Sequence, residues 1–147
     1  MEILNRQAYY NYFVLETYEA GIVLTGTEIK SIRAGKCNIK DSYAIVKNDE
    51  VFLLNTHISP YDKGNQFNHE ETRTRELLLH KNQILKLYNK VKLERLAIVA
   101  LKAYFVGSLV KIEIALGKGK KLADKRETIK ERDEKRHIEK SIKNIYK

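Results

Sequence analysis

The chain has little of what a disulfide-stabilised, secreted or membrane-spanning protein requires. Its 147 residues include one cysteine, Cys37, which cannot form an internal disulfide, as is usual in reducing compartments. The start of the chain becomes polar within a few residues, unlike a secretory signal, and no apolar run is long enough to span a bilayer. We therefore expect a cytoplasmic protein that forms one domain, or one domain with a tail.

Motifs for catalysis or metal binding are also scarce. No Ser/His/Asp order, GxSxG turn or phosphate-binding loop is present, and the four histidines show no metal-ligand spacing. Glu28 and Lys30 match half of a metal-dependent nuclease site, but the upstream Asp that would hold the metal is missing, since the first Asp is Asp41. A nuclease stays an alternative; we expect no catalytic residue, cofactor, metal or small-molecule substrate.

Positive charge is abundant and unevenly distributed. The formal net charge is +9, and residues 117–147 supply +6 of it, with twelve Lys or Arg against six Asp or Glu. A sequence pI near 9.5 indicates a nucleic acid or an anionic membrane as partner. The tail has no bulky apolar face to insert into a membrane, so RNA is favoured and no membrane partner is expected. We predict a folded body at residues 1–116 and a basic tail at 117–147.

The body has the pattern of a mainly β protein. Residues 43–47 and 51–55 predict one hairpin, and residues 96–105 and 109–116 predict another, in whose second strand apolar and other residues alternate. Residues 12–16 and 21–25 are predicted to be two strands flanking a turn. With short helices between them, these strands favour a small barrel over an open sheet.

Two short helices are predicted within the body. One covers residues 26–35, with Thr27 as its N-cap and Gly35 in the left-handed conformation at its end. The other starts near Thr72 or Thr74, because Leu77 and later apolar residues recur at helical spacing.

The tail is predicted to begin where Gly117 and Gly119 end the last strand. Ten of the twelve residues from Lys125 to Arg136 are charged, so the tail alone is expected to be largely disordered. If it becomes helical, at about 100° per residue, its cations collect on one side and most carboxylates on the other. The predicted structure is a helix that forms on contact with phosphate; a solvated tail without a partner is the alternative.

Several segments resemble successive motifs of the SsrA-binding protein family, SmpB, in the same order and spacing. They are Asn5-Arg6-Gln-Ala-Tyr-Tyr-Asn-Tyr12, Tyr18-Glu-Ala-Gly21-Ile, Gly26-Thr-Glu-Ile-Lys-Ser31, Arg33-Ala-Gly35-Lys-Cys-Asn38, Asp41-Ser-Tyr43, Thr72-Arg-Thr-Arg75-Glu-Leu-Leu-Leu-His80, Gly117-Lys-Gly-Lys-Lys121 and Asp124-Lys-Arg126. The resemblance implies an OB-fold-type antiparallel β-barrel of about six strands with about three helices, plus a disordered or helical tail. It also implies a non-catalytic partner of transfer-messenger RNA (tmRNA) in trans-translation.

In that family the body binds the tRNA-like domain of tmRNA, and the tail enters a stalled ribosome. There the tail becomes helical in the empty decoding site and the downstream mRNA channel. The runner-up hypothesis is a general RNA-binding or ribosomal protein with a similar barrel.

The resemblance assigns two sets of contact residues. The predicted RNA-binding set of the body is Asn5, Arg6, Glu19, Glu28, Lys30, Arg33, Lys36 and Asn38, with Arg73 and Arg75, which either touch RNA or anchor the next helix. The predicted ribosome-contacting set of the tail is Lys120, Lys121, Asp124, Lys125, Arg126, Lys130, Arg132 and Arg136.

The predicted carboxylate contact needs its own explanation. Glu19 either accepts hydrogen bonds from base amino groups or 2′-hydroxyls, or pairs with a structural arginine. The chain also departs from the family at two positions: Ala123 stands where a histidine is frequent, and Glu71 where a proline is common.

Overall fold

The computed structural model describes residues 2–61 and 68–145, and the side chains of the last helix up to residue 133. The elements, in chain order, are β1 (Glu2–Leu4), α1 (Arg6–Asn11), β2 (Tyr12–Ile22), α2 (Gly26–Arg33), β3 (Cys37–Asn38), β4 (Tyr43–Lys47), β5 (Glu50–Leu54), β6 (His57–Ile58), β7 (Arg75–Leu78), α3 (Lys81–Glu94), β8 (Ala97–Val106), β9 (Leu109–Gly119) and α4 (Leu122–Ile145).

Antiparallel pairing joins six strands into a ring. The sheet order is β1-β8-β4-β5-β7-β2-β9, and β9 also pairs with β8, so β1 is an added strand outside the ring. The β2–β7 and β4–β8 junctions have only two residue pairs each, and the ring is therefore not a fully hydrogen-bonded barrel. The mainly β, OB-type fold with about six strands, three helices and a helical tail is confirmed.

The interior is filled from three apolar clusters. The largest lies inside the ring, where Ile112, Ile114 and Leu116 of β9 are at most 2% exposed. Helix α1 packs Ala8 against Val99, Leu101 and Ala115, and α2 packs Ile32 against Ile58 and Val110. Each of these helices is therefore anchored on the ring by its own cluster.

Both predicted hairpins are present. The β4–β5 turn places Asn48 and Asp49 at φ 52° and 62°, the positive values that a tight two-residue hairpin turn needs. In the β8–β9 hairpin Val106 pairs with Leu109, and Gly107 has φ 61°.

The two predicted N-terminal strands are in fact one. Strand β2 runs without a turn through Gly21, which pairs with Leu78 of β7 and Lys111 of β9. A Cβ on Gly21 would lie 3.3 Å from Cβ of Leu78, so this glycine permits close strand packing rather than a turn.

Two predicted helix starts are also wrong. Strand β7 occupies the segment where a helix was expected, with Leu77 buried and Leu78 exposed in the alternation of a strand, and α3 begins only at Lys81. The N-cap of α2 is Thr25 instead of Thr27, because Thr25 and Glu28 form a reciprocal capping box. Gly35 has the expected positive φ, 77°.

The predicted end of the last strand at Gly117 is wrong, because strand β9 continues past it. It stays paired with β2 as far as Gly119, opposite Tyr12, and α4 begins at Leu122. A Cβ on Gly117 would lie 3.0 Å from Cβ of Tyr12, so glycine there allows the two strands to approach closely. No helix in the described part of the chain is both long and apolar enough to cross a membrane.

Candidate nucleic-acid interface

The end of α2 carries exposed cations that aromatic rings hold in place. Nζ of Lys30 lies 5.4 Å from the centroid of the Tyr61 ring, and Cζ of Arg33 lies 5.3 Å from that of Phe105. Lys36 and Asn38 follow on the exposed chain after the helix. We call Lys30, Arg33, Lys36 and Asn38 the α2 surface. The attraction between a cation and an aromatic ring stabilises the contact by about 0.5–1 kcal/mol at an exposed site. This attraction restricts the side chains of Lys30 and Arg33.

A buried carboxylate at the start of α2 binds two arginines. Oε2 of Glu28 lies 2.5 Å from Nε of Arg75, and Oε1 lies 2.6 Å from Nη2 of Arg73. Glu28 and Arg75 have no exposed surface, whereas the Arg73 side chain is 34% exposed. Arg75 also donates to the carbonyl of Thr56 at 2.9 Å and to those of Glu70 and Glu71. One carboxylate therefore anchors both a core arginine and a surface arginine.

The electrostatics of this cluster favour the ionised carboxylate. Burial alone would raise the pKa of Glu28, but hydrogen bonds from Arg73, the Thr25 amide and Arg75 outweigh it, so that the pKa lies below its ordinary value. Two guanidinium groups thus share one negative charge, and the surplus positive charge reaches the surface through Arg73.

Asn5 is also an internal residue. It is 3% exposed, and its Nδ2 donates to the carbonyl oxygens of Ile39 at 3.1 Å and Ala100 at 2.7 Å. The burial of Asn5, Glu28 and Arg75 disagrees with the predicted direct contact with RNA. The other predicted side chains of the body are exposed, or partly exposed in the case of Arg73: Arg6, Glu19, Lys30, Arg33, Lys36 and Asn38.

Glu19 lies on the outer side of β2 and has a tyrosine as its partner. The Tyr104 hydroxyl donates to Oε2 of Glu19, and Glu19 faces Glu113 in the β2–β9 pairing. Burial and this carboxylate together raise the pKa of Tyr104 to about 12. Lys102 bridges Glu2 and Glu113 at 3.7 and 3.6 Å. Carboxylates outnumber cations in this patch, and among the described residues the partner of Glu19 is Tyr104 and not an arginine.

The first turns of the tail helix contact the body. Lys120 lies over Phe13 and Lys125 over Tyr10, while Oδ2 of Asp124 accepts from the Lys121 amide at 3.1 Å. The other predicted tail cations with a described side chain are exposed: Lys121, Arg126, Lys130 and Arg132. The side chain of Arg136 lies outside the described residues.

The aromatic partners of these cations escaped prediction from sequence. Phe105 is 72 positions from Arg33, and Tyr61 is 31 from Lys30, so that no local spacing joins them. The crowding of Tyr9, Tyr10 and Phe13 beside Arg6 was the available signal, but such residues are more often part of a core.

The fold and these surfaces define a class of protein: a basic antiparallel β-ring of the OB type with a cationic helical extension. Basic patches with aromatic side chains beside them are typical of nucleic-acid-binding surfaces. In the described ranges no group of three or more His, Cys, Asp or Glu could hold a metal ion.

The profile of the family described as "SmpB protein" matches residues 2–144, and the chain belongs to this family. An "SsrA-binding protein" from Trichodesmium erythraeum is 58% identical over 140 residues, 95% of this chain and 90% of the relative. One from Carboxydothermus hydrogenoformans is 53% identical over 142 residues, 97% of this chain and 95% of the relative.

A solved structure described as "tmRNA-SmpB: a journey to the center of the bacterial ribosome" contains a similar chain. It is 42% identical, with a TM-score of 0.71, and the match covers 87% of this chain and 94% of that one.

Proposed function

We propose that this protein binds the tRNA-like domain of tmRNA and delivers it to stalled ribosomes for trans-translation. The observation that carries the proposal is the exposed α2 surface, in which Lys30 and Arg33 lie over aromatic rings, in a chain that matches the SmpB family over residues 2–144. Phosphate contacts from such cations supply affinity and register, and their fixed positions favour one RNA shape over others.

The body, residues 1–116, divides its predicted residues between contact and support. Arg6, Lys30, Arg33, Lys36, Asn38 and Arg73 contact the RNA. Asn5, Glu28 and Arg75 support them from the interior, since Glu28 holds the partly exposed side chain of Arg73 through its Nη2 at 2.6 Å. Glu19 keeps lone pairs free beside its bond from Tyr104, and these accept from 2′-hydroxyls or base amino groups.

The tail, residues 117–147, is the part that enters the ribosome. Helix α4 has 24 residues and is therefore about 36 Å long. Its exposed cations contact ribosomal RNA in the decoding site and mRNA channel. The protein acts as an adaptor that performs no covalent chemistry, and it works in the cytoplasm, where stalled ribosomes are found.

Competition binding at near-physiological salt tests the proposal. The labelled tRNA-like domain is titrated with the full chain, with ordinary tRNA as competitor. We expect strong preference for the tRNA-like domain, and Lys30→Glu should weaken binding while the matched control Lys47→Glu, an exposed lysine on β4, should not. Equal affinity for both RNAs would instead indicate a general RNA-binding protein.

A further inference from the structure

The two aromatic rings that lie beside the α2 surface are held in different ways. Phe105 belongs to β8, where it is paired with Val110 of β9. Tyr61 lies in neither a helix nor a strand, and residues 62–67, which follow it, lie outside the described part of the chain. The position of the Tyr61 ring, and of Lys30 above it, therefore depends on contacts other than those between paired strands.

Asn68 binds both backbone polar groups of Tyr61. The Tyr61 amide donates to Oδ1 of Asn68 at 3.0 Å, and Nδ2 of Asn68 donates to the Tyr61 carbonyl at 2.6 Å. The His69 amide also donates to Oδ1 of Asn68, at 3.3 Å, which fixes the orientation of the side-chain amide. The carboxamide offers an acceptor and a donor like those of a peptide unit, so Asn68 binds Tyr61 as a neighbouring strand would.

His69 attaches the same segment to α2. Its Nε2 lies 2.8 Å from the carbonyl oxygen of Ile58 and therefore carries a hydrogen, and its Nδ1 lies 2.9 Å from Oγ1 of Thr27. With the hydrogen on Nε2, the neutral ring accepts the Thr27 hydroxyl at Nδ1. The histidine thus joins the first turn of α2 to strand β6, although His69 and Thr27 are 42 positions apart.

The segment that carries Tyr61 is also bound at the other end of α2. The Ser59 amide donates to the carbonyl of Lys36 at 3.0 Å, just after the last turn of the helix. Lys30 lies between this attachment and that of His69, and its Nζ is 5.4 Å from the centroid of the Tyr61 ring. The contact between this cation and its ring therefore depends on residues outside α2.

We propose that Asn68 and His69 are positioning residues of the α2 surface, which hold the Tyr61 ring against the helix and thereby fix the ammonium group of Lys30 for contact with a phosphate. Neither residue belongs to the set that resemblance to the family assigned to RNA binding. The pair acts by pre-organisation, because a lysine that is restricted before binding loses less conformational entropy when it meets a phosphate. The effect on RNA rests on the proposed function, whereas the position of the ring does not.

Nuclear magnetic resonance of the full chain tests the position of the ring. The face of an aromatic ring beside the ε-methylene group of Lys30 displaces its proton resonances upfield. We expect Tyr61→Leu to abolish this displacement, and Asn68→Ala and His69→Ala to reduce it. Asn89→Ala, which removes an exposed asparagine of α3, is the matched control and should leave it unchanged. Unchanged Lys30 resonances in Asn68→Ala would overturn the proposal.

A milder variant decides the same question if Asn68→Ala does not fold. Asn68→Asp keeps the acceptor for the Tyr61 amide and loses the donor to the Tyr61 carbonyl. We expect an upfield displacement of the Lys30 resonances between those of the parent chain and Tyr61→Leu. The full displacement of the parent chain in Asn68→Asp would count against the proposal in the same way.

A double-mutant cycle on affinity for the tRNA-like domain tests whether the pair acts through Lys30. We expect Asn68→Ala to weaken binding by about fivefold in the parent chain, the cost of ordering one long side chain on binding. In a Lys30→Ala background it should weaken binding no further, because the residue that it positions is gone. The same loss in both backgrounds would overturn the proposal, since Asn68 would then act on the RNA without Lys30.

The two measurements separate this proposal from the proposed function. If the parent chain does not prefer the tRNA-like domain over ordinary tRNA, the proposed function fails. The Lys30 resonances still decide in that case whether Asn68 and His69 hold the Tyr61 ring against α2.

Discussion

Glu28 and Arg75 form an ion pair with no exposed surface on either side chain, with 2.5 Å between Oε2 and Nε. The other oxygen of the same carboxylate holds Arg73, whose side chain is 34% exposed. A buried charge is tolerated only when it is paired and hydrogen-bonded, and both conditions hold here. The stability of the body and the position of a surface arginine therefore depend on one carboxylate.

Removing that carboxylate should destabilise the fold. We expect Glu28→Ala to lower the free energy of unfolding by about 3–5 kcal/mol, because Arg75 is left buried without a counter-charge. Urea unfolding measures this, and Glu50→Ala, at an exposed position of β5, should change it by less than about 0.5 kcal/mol. Unchanged stability with collapsed RNA affinity would identify Glu28 as a direct RNA contact.

The same pair predicts a pH dependence of stability. The pKa of Glu28 is lower in the folded state than its ordinary value of 4.5, so its contribution is complete above that value and is lost as the pH falls through the folded-state pKa. We expect the difference in free energy of unfolding between the parent chain and Glu28→Gln to be constant near neutrality and to shrink below about pH 4.5. A difference that grows on acidification would contradict the lowered pKa.

Local patterns predicted the elements whose packing is also local. The β4–β5 and β8–β9 hairpins follow from strand periodicity on both sides of short turns. Gly21 was misread because its partner, Leu78, is 57 positions away and gives no signal in the sequence near it. Leu77 and Leu78 fit both a helical and a strand period, and only pairing with β5 and β2 decides for the strand.

The sequence predicts a set of candidate site residues but not their arrangement in space. Resemblance to the SmpB family selected Glu28 and Arg75, while their burial depends on a contact between residues 47 positions apart. The contact between Lys120 and the Tyr9 carbonyl of α1 likewise joins residues that are 111 positions apart. The charged composition of the tail predicted disorder. The contacts of Lys120 and Lys125 with the body could not be predicted, because they depend on residues far away in the sequence.

Because β9 stays paired with β2 up to Gly119, we expect the stability of a truncated chain to depend on where the tail is cut. Cutting after Leu116 removes residues 117–119, which pair with Tyr12, Phe13 and Val14 of β2, whereas cutting after Lys121 leaves that pairing intact. We expect the shorter chain to be less stable by about 1–3 kcal/mol, the value of a few lost backbone hydrogen bonds. Thermal unfolding measures the difference.

The longer truncated chain should still bind the tRNA-like domain, and both should fail to support tagging. Equal melting temperatures would mean that residues 117–119 add nothing to the ring. Equal loss of binding and tagging in the longer truncated chain would contradict the division into body and tail.

Salt dependence tests whether the exposed cations of the body meet phosphate. With about six phosphates neutralised, affinity for the tRNA-like domain should fall roughly a thousandfold between 50 and 200 mM salt. Lys30→Ala should reduce the slope of log affinity against log salt by about one, and Lys47→Ala should leave it unchanged. A flat response in the parent chain would remove the electrostatic basis of the α2 surface. An unchanged slope in Lys30→Ala would show that Lys30, although held over Tyr61, does not reach a phosphate.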